Sequence, residues 1–267
     1  MSPAISNTPE AASFDGQVVL VTGASGGIGS AIAHAFARRG ARVVLHYHRG
    51  REAAEALRAA LPAILDSSEH LCLGADLGDP AAARGLIEEV LERCGGLHVL
   101  VNNAGIFETH PPLTSDAATW DEAWRRTLGA NLLGPAVLSH GAARHMVEAG
   151  GGRIVNITSR GAFRGEPDAP AYGASKAGLN AFGQSLAKAL APHGVFVFSI
   201  APGWVDTDRV APFVHGEKED EIRRESPLGR VATPEEVARS VVFLASPGND
   251  SLTGCILDLN GASYLRT

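Results

Sequence analysis

The feature that most constrains the fold of this chain is an alternation of short apolar segments with longer alanine-rich segments. Seven apolar runs, rich in β-branched residues, occupy residues 17–22, 43–47, 70–74, 98–101, 153–158, 195–200 and 255–259. Helices are predicted between them at 28–39, 51–61, 80–93, 119–149 and 172–192. Strands that helices cover on both faces have unbroken apolar sequences, as these runs do. The pattern therefore predicts an α/β fold, in which a doubly wound, seven-stranded parallel sheet is flanked by helices on both faces.

The chain is long enough for one domain with a sizeable core. It has 267 residues, of which 45% are hydrophobic, and it contains no linker-like change in composition and no internal repeat. We therefore predict a single Rossmann-type domain over residues 14–267. Residues 1–13 are small and polar with two prolines, and they have neither the basic region nor the apolar region of a secretory signal. They are predicted to be a disordered tail.

Composition excludes several classes of function. The net charge is -6 and charged residues make up 19%, so no basic surface favours nucleic acid. No apolar run reaches the roughly 18 residues that a membrane helix needs. The three cysteines are far apart, and the ten histidines lack metal-ligand spacing, so neither a metal site nor a disulfide is predicted. A small-molecule partner and a reducing cytoplasmic location fit these features.

A glycine-rich turn follows the first predicted strand with the spacing Thr-Gly-x-x-x-Gly-x-Gly. Gly23 would let the strand end tightly, Gly27 would let the backbone approach a pyrophosphate, and Gly29 would let the helix pack on the strand. The start of the helix offers unpaired N–H groups to an anion. We predict a dinucleotide site whose contacts here are Thr22, Gly23, Ser25, Gly27, Ile28 and Gly29. The alternative is a tight strand-to-helix connection that binds nothing.

A second set of residues indicates acid/base chemistry. Tyr172 and Lys176 are one helical turn apart, so the phenol and the ammonium face the same way. Because a nearby cation favours the ionised phenol, Lys176 is predicted to lower the pKa of Tyr172. Ser159 follows the fifth strand, at the carboxyl edge of the sheet, so Ser159 and Tyr172 could both donate to a developing oxyanion. The alternatives are that Ser159 caps a turn and that Tyr172 is a core aromatic.

These motifs, in this order, resemble those of the classical short-chain dehydrogenase/reductase family over about residues 14–265. The resemblance implies a nicotinamide-dependent oxidoreductase that acts on a carbonyl or a secondary alcohol. It implies that Tyr172 is the general acid/base and that Ser159 bonds the substrate oxygen. It further implies that Lys176 binds the nicotinamide ribose, and that Asn131, in the long fourth helix, holds a relay water. For Asn131 the alternative is that its amide satisfies neighbouring backbone.

The resemblance also implies further cofactor contacts. Besides the glycine turn, Tyr172 and Lys176, these contacts are Asp76, Leu77, Asn103, Ala104, Gly105, Pro202, Gly203, Val205 and Thr207. Asp76 and Leu77 match the adenine contact of the family. Alternatively, Asp76 caps the helix that begins near Pro80.

Cofactor choice depends on the end of the second strand, where NAD-binding proteins place an acidic residue. The chain has none there and reads His-Tyr-His-Arg-Gly-Arg over residues 46–51. Arg49 is positioned to pair with a 2′-phosphate, so NADP(H) is favoured over NAD(H), with Tyr47 and Arg49 as contacts. The alternative is that Arg49 is a solvated loop side chain.

The resemblance also has implications for the substrate and for the oligomeric state. The stretches at 202–208 and 252–261 resemble those of 3-oxoacyl-acyl-carrier-protein reductases most, which implies a 3-oxoacyl thioester substrate. The alternatives are a sugar, steroid or other secondary alcohol dehydrogenase using NAD(H), and a dinucleotide-binding regulator without turnover. Residues 206–230 are predicted to form a substrate lid, and the family implies a homotetramer, or else a homodimer.

Six side chains are candidate substrate contacts. The aromatic and basic candidates are Arg160, Phe163, Arg164 and Trp204. His110 and His215 are two more, with the alternative that both are solvated loop side chains.

Overall fold

The computed structural model describes residues 12–64, 69–216 and 219–266. Its strands are β1 (Val18–Val21), β2 (Arg42–Tyr47), β3 (Leu71–Gly74), β4 (Val99–Asn102), β5 (Gly152–Ile157), β6 (Val195–Pro202) and β7 (Ile256–Leu259). They form one parallel sheet in the order β3-β2-β1-β4-β5-β6-β7. The predicted seven-stranded, doubly wound parallel sheet is therefore confirmed. The predicted tail at 1–13 lies outside the described residues, except for its last two.

The helices cover both faces of this sheet. They are α1 (Gly27–Ala37), α2 (Arg51–Ala60), α3 (Pro80–Cys94), α4 (Ala117–Leu128), α5 (Gly134–Glu148), α6 (Gly161–Arg164), α7 (Pro170–Leu190), α8 (Ala211–Val214), α9 (Glu219–Glu225) and α10 (Pro234–Ala245). The sequence analysis predicts none of α6, α8, α9 and α10. In the described part of the chain, no helix combines the length and the apolar character that crossing a membrane requires.

The core has two layers because neighbouring strand residues point to opposite faces of the sheet. Val19 and Val21 of β1 contribute to one layer, which lies under α1 and α10. Val18 and Leu20 contribute to the other, which lies under α3 and α5. Both faces are buried, and this burial accounts for the unbroken apolar runs in the sequence.

The predicted helix at 119–149 is interrupted in the middle by a π-helical turn, Gly129–Leu133, which joins α4 to α5. There the N–H of Gly134 donates to the carbonyl of Gly129, five residues earlier. Pro135 has no N–H to donate to the carbonyl of Asn131, so the α-helical hydrogen bonding cannot continue through this point. The interruption coincides with Asn131, which is fully buried. Single π turns of this kind are frequent at functional sites.

Candidate active site

The glycine turn between β1 and α1 is held tightly to the loop after β4. The hydroxyl of Thr22 accepts from the backbone N–H groups of Asn103 and Ala104, each at 2.9 Å. The Asn103 amide donates back to the carbonyl of Thr22 at 2.8 Å. Gly23 has φ +63°, and a Cβ there would lie 2.9 Å from the Cα of Ala104. The two loops therefore form one surface at the carboxyl edge of the sheet.

The start of α1 has the properties of an anion site. A Cβ on Gly29 would lie 2.2 Å from the carbonyl oxygen of Gly23, so only glycine allows α1 to begin this close to β1. In the part of the chain that the structure describes, no side chain caps α1 at Gly26. The first N–H groups of α1 consequently face outward without a side-chain acceptor, as phosphate binding requires. These features fit the pyrophosphate of a dinucleotide.

His46 is a part of this site that the sequence analysis missed. The N–H of Gly23 donates to Nδ1 of His46 at 3.2 Å, and Nε2 donates to the carbonyl of Ala75 at 3.0 Å. Burial lowers the pKa of His46 to about 4, against a smaller opposing effect of the Ala75 hydrogen bond, so the ring is neutral at pH 7. His46 thus connects the glycine turn to the end of β3. The sequence signal for His46 was a polar residue inside the apolar run at 43–47.

The end of β2 lies beside the glycine turn, where the cofactor-selecting residues were predicted. Arg49 is exposed, and a Cβ on the next residue, Gly50, would lie 3.2 Å from Oγ of Ser25. The ring of Tyr47 packs against Gly74 at the end of β3. His48 Nε2 lies 3.8 Å from a carboxylate oxygen of Asp76. This stretch therefore presents basic side chains at the edge of the predicted dinucleotide site.

Asp76 does not cap α3, so that alternative is wrong. Its carboxylate accepts from the N–H of Gly78 at 2.9 Å, whereas Asp79 caps the helix by accepting from Ala81 at 2.8 Å. The neighbouring Leu77 is buried, and its backbone packs on Gly134 at the start of α5.

The four predicted catalytic residues come from the loop after β5, from α7 and from the π turn, and two of them, Asn131 and Lys176, lie next to Gly105. A Cβ on Gly105 would lie 3.2 Å from Oδ1 of Asn131 and 3.4 Å from Nζ of Lys176. Nζ of Lys176 lies 5.7 Å from the centre of the Tyr172 ring and donates to the carbonyl of Ile157, the last residue of β5, at 2.9 Å. Ser159, two residues further along, lies close enough to Tyr172 for its hydroxyl to lower the pKa of the phenol, and its Oγ accepts from the N–H of Gly161 at 3.0 Å.

The amide of Asn131 is fully engaged with protein groups. Its Oδ1 accepts from the N–H of Ile106 at 2.8 Å, and its Nδ2 donates to the carbonyl of Ile106 at 2.9 Å and to Oγ of Ser175 at 3.1 Å. The alternative that its side chain satisfies neighbouring backbone is therefore what the structure shows. Pro135, four residues further along, has no N–H to donate to the carbonyl of Asn131.

The pKa of Tyr172 is shifted in the opposite direction to the sequence prediction. Burial raises the pKa of Tyr172, with a smaller contribution from Glu166, while the hydrogen bond from Ser159 and the charge of Arg209 lower it. Lys176, predicted to lower this pKa, is not among the groups that shift it. Burial lowers the pKa of Lys176 itself to about 8, and Arg209 contributes to the same shift. Desolvation is the largest cause of both shifts.

The loop after β6 completes this edge of the sheet. The carbonyl of Pro202 accepts from the N–H of Arg160 at 2.9 Å, and Gly203 N–H donates to Leu259 of β7 at 2.9 Å. Val205 is buried and bridges to Ala232. Thr207 lies against the glycine turn, since a Cβ on Gly27 would be 3.1 Å from its methyl group. The loop therefore lies over the start of α1.

Two of the proposed pocket residues line a different cavity. Arg160 is buried, pairs with Glu225 and donates to Oγ of Ser263 at 2.6 Å. Together with Trp204 it lines a cavity of about 480 Å³ beside β7 and α10, and among the described residues its lining does not include Tyr172. The aromatic side chain that contacts Tyr172 is instead Phe107, whose ring centre lies 5.0 Å away in an edge-to-face arrangement.

His110 is buried and structural, not a solvated loop residue. Its Nε2 accepts from the N–H of Ala171 at 3.1 Å, directly before Tyr172, and its Nδ1 donates to the carbonyl of Glu108 at 2.8 Å. His110 therefore fixes the first turn of α7. His215 pairs with Asp206 at 2.9 Å in the region predicted to be a lid. Two residues of that region, 217 and 218, lie outside the described part.

Fold and site together define a dinucleotide-binding oxidoreductase, and comparisons with known proteins specify the family. The sequence model described as "Enoyl-(Acyl carrier protein) reductase" matches residues 23–261. The chain belongs to the short-chain dehydrogenase/reductase family.

Three similar proteins illustrate the range of this family. Cis-4-hydroxycyclohexanecarboxylate dehydrogenase of Sinomonas cyclohexanicum is 37% identical over 93% of this chain and 96% of its own length. The 3-oxoacyl-acyl-carrier-protein reductase FabG of Aquifex aeolicus is 35% identical over 94% of this chain and 98% of its own. The crystal structure of a Burkholderia cenocepacia short chain dehydrogenase in complex with NADP has TM-score 0.84 at 36% identity, covering 93% of this chain and 98% of that one. The protein is thus an oxidoreductase of this family.

Proposed function

We propose that this protein is an NADP(H)-dependent oxidoreductase that interconverts a ketone and a secondary alcohol. The observation that carries the proposal is the cluster in which Asn131 and Lys176 lie beside Gly105, Tyr172 lies beside Lys176, and Ser159 lies beside Tyr172. A bound nicotinamide would supply or accept the hydride. The residues that would hold the dinucleotide are those of the glycine turn, the loops after β2, β3, β4 and β6, and Lys176.

In this mechanism the Tyr172 phenol donates a proton to the carbonyl oxygen as negative charge develops there. Burial raises the pKa of the phenol, which keeps it protonated at neutral pH but makes it a weaker acid, and the Ser159 hydroxyl acts in the opposite direction. The Ser159 hydroxyl donates a second hydrogen bond to the same oxygen. Lys176, whose Nζ lies 5.7 Å from the centre of the Tyr172 ring, would bind the nicotinamide ribose beside the phenol. A water at the Asn131 carbonyl would return a proton through Lys176.

NADP(H) is favoured because the loop after β2 presents Arg49 and no carboxylate. The complex of the Burkholderia cenocepacia relative with NADP supports this choice. A cofactor titration tests it. Arg49→Ala should raise the Kd for NADPH about 10-fold, the effect of one charge-assisted contact, and leave the Kd for NADH unchanged. Arg84→Ala, an exposed arginine on α3, is the control. Equal effects on both cofactors would reject Arg49 as the phosphate contact.

Two substrate classes follow from the similar proteins: 3-oxoacyl thioesters and secondary alcohols. Steady-state rates with an acetoacetyl thioester, simple ketones and cyclic secondary alcohols separate them. Binding of NADPH without turnover of any of these compounds would favour a non-catalytic dinucleotide-binding regulator. We further propose a homotetramer in the cytoplasm, and the three free thiols of Cys72, Cys94 and Cys255 support that location.

A further inference from the structure

Arg209 lies in the region predicted to be a lid, yet its guanidinium reaches the catalytic end of the site. Its Nη1 donates to the carbonyl of Gly105 at 2.8 Å. Gly105 is the residue whose missing side chain leaves room for Lys176 and Asn131. The charge of Arg209 is also felt at Tyr172 and Lys176, whose pKa values it lowers. Arg209 therefore reaches from the loop after β6 to the side chains that are predicted to be catalytic.

The guanidinium has unused binding capacity. Only one of its five N–H donors is engaged by Gly105. Across residues 12–64, 69–216 and 219–266, Arg209 forms no ion pair, and Asp206 of the same segment pairs with His215 instead. Arg160 and Arg164, by contrast, have carboxylate partners, because both lie against Glu225 and Arg164 also lies against Glu166. An uncompensated cation next to an acid/base tyrosine is an arrangement that would recognise an anion on the substrate.

The surroundings indicate what kind of substrate this would be. Phe107 contacts Tyr172 and is 44% exposed, so it offers an apolar surface two residues from the carbonyl that holds Arg209. A planar guanidinium can bind the two oxygens of a carboxylate with two parallel N–H donors. Glu166 is the carboxyl group that opposes an anion here. Burial raises its pKa, which reduces that opposition.

We propose that Arg209 is a specificity-determining residue that binds a carboxylate on the substrate, so that the preferred substrate is a keto acid or hydroxy acid with an apolar body. This inference rests on the proposed function and narrows its substrate class. The carboxylate would lie at Arg209, the apolar body on Phe107, and the reacting oxygen at Tyr172 and Ser159.

The test uses pairs of compounds that differ only in charge: keto acids of several chain lengths and their neutral methyl esters. For at least one pair we expect kcat/KM to be at least about 10-fold higher for the acid, with the difference mostly in KM, as one charge-assisted contact gives. Arg209→Met should remove this preference by lowering kcat/KM at least about 10-fold more for the acid than for the ester, and Arg209→Lys should keep part of it. Arg224→Met removes an exposed arginine from the same region and should change neither.

Three results would overturn the inference. One is an equal or greater rate for the ester in every pair, and another is a preference for the acid that persists in Arg209→Met. The third is an equal loss of kcat/KM for acid and ester in Arg209→Met, or a rise in its Kd for NADPH as large as the loss for the acid. Either would assign Arg209 a structural or cofactor-binding role. If no compound is turned over, the proposed function fails. Calorimetric titration of the same keto acids into the NADPH complex then decides on Arg209: binding weakened by Arg209→Met supports the inference, and unchanged or absent binding overturns it.

Discussion

Tyr172 shows at the scale of single residues how burial and pairing compete. The spacing of Tyr172 and Lys176 correctly places an amine near the ring, but spacing alone does not reveal how much water each group loses. In the structure desolvation dominates both: the pKa of Tyr172 is raised and that of Lys176 is lowered to about 8. The Tyr172 phenol is therefore protonated before the reaction and can donate to a carbonyl.

Sequence reasoning identifies residues that belong to local motifs better than those whose partners are distant. The glycines of the turn are recognised by spacing, and Asn131 by the resemblance. His46 and His110 are missed as positioning residues because their partners, Ala75 and Ala171, lie 29 and 61 positions away. Arg209 is missed for the same reason, since its contact with Gly105 spans 104 positions.

The lowered pKa of His46 predicts acid sensitivity. The folded pKa of about 4 lies below the ordinary 6.5, so the unfolded chain takes up this proton first as the pH falls. The stability from neutral His46 is complete above pH 6.5 and is lost as the pH falls to 4, by at most about 3 kcal/mol. Urea unfolding at pH 7 and pH 4.5 should show a smaller loss in His46→Asn than in the natural protein. The exposed His193→Asn should show the full loss, and an equal loss in all three would contradict the assignment.

At the scale of elements, the sequence predicts every strand and the long helices within a few residues, because apolar runs and helical periodicity are local signals. It does not predict the interruption at Gly129–Leu133, although Pro135 was the signal for it. It also misses α10, which begins with a capping box: Thr233 accepts from the N–H of Glu236, and the Glu236 side chain accepts from the N–H of Thr233. The sequence signal for the start of α10 was Thr-Pro-Glu-Glu at residues 233–236.

The capping box predicts a measurable effect on stability. Thr233→Ala should lower the free energy of unfolding by about 1 kcal/mol, since an N-terminal donor of α10 loses its acceptor. Thr114→Ala, at an exposed loop position, is the matched control and should change stability by less than about 0.5 kcal/mol. Urea unfolding measures both, and equal values for the two variants would show that the cap does not contribute.

Two glycine-to-alanine substitutions test the packing of the first turn. Gly29→Ala should destabilise the protein by about 1–3 kcal/mol and weaken NADPH binding, because the new Cβ would lie 2.2 Å from the Gly23 carbonyl. Gly85→Ala, inside α3 with nothing within 4 Å of the new Cβ, should stabilise it by about 0.5–1 kcal/mol. Thermal unfolding and an NADPH titration give both quantities. A tolerated Gly29→Ala would mean that α1 need not start so close to β1.

At the scale of the whole molecule, apolar side chains remain on the outer faces of α10 and β7. Phe243 is 53% exposed and Leu257 is 37% exposed. We expect these faces to be covered by other copies of the chain in the proposed homotetramer. Sedimentation velocity should then give the mass of four 27.7 kDa chains. Phe243→Glu should produce smaller species, whereas Leu113→Glu, on an exposed loop, should not; a monomeric natural protein would contradict this expectation.

The account as a whole depends on Tyr172 acting as the proton donor for hydride transfer from NADPH. The most direct measurement is single-turnover reduction of a ketone substrate with NADPH deuterated at the transferring position, followed by mass spectrometry of the alcohol. We predict one deuterium in the product of the natural protein. For Tyr172→Phe we predict a rate lower by about 10²- to 10⁴-fold with unchanged NADPH binding. Deuterium transfer at the natural rate in Tyr172→Phe would contradict the central claim.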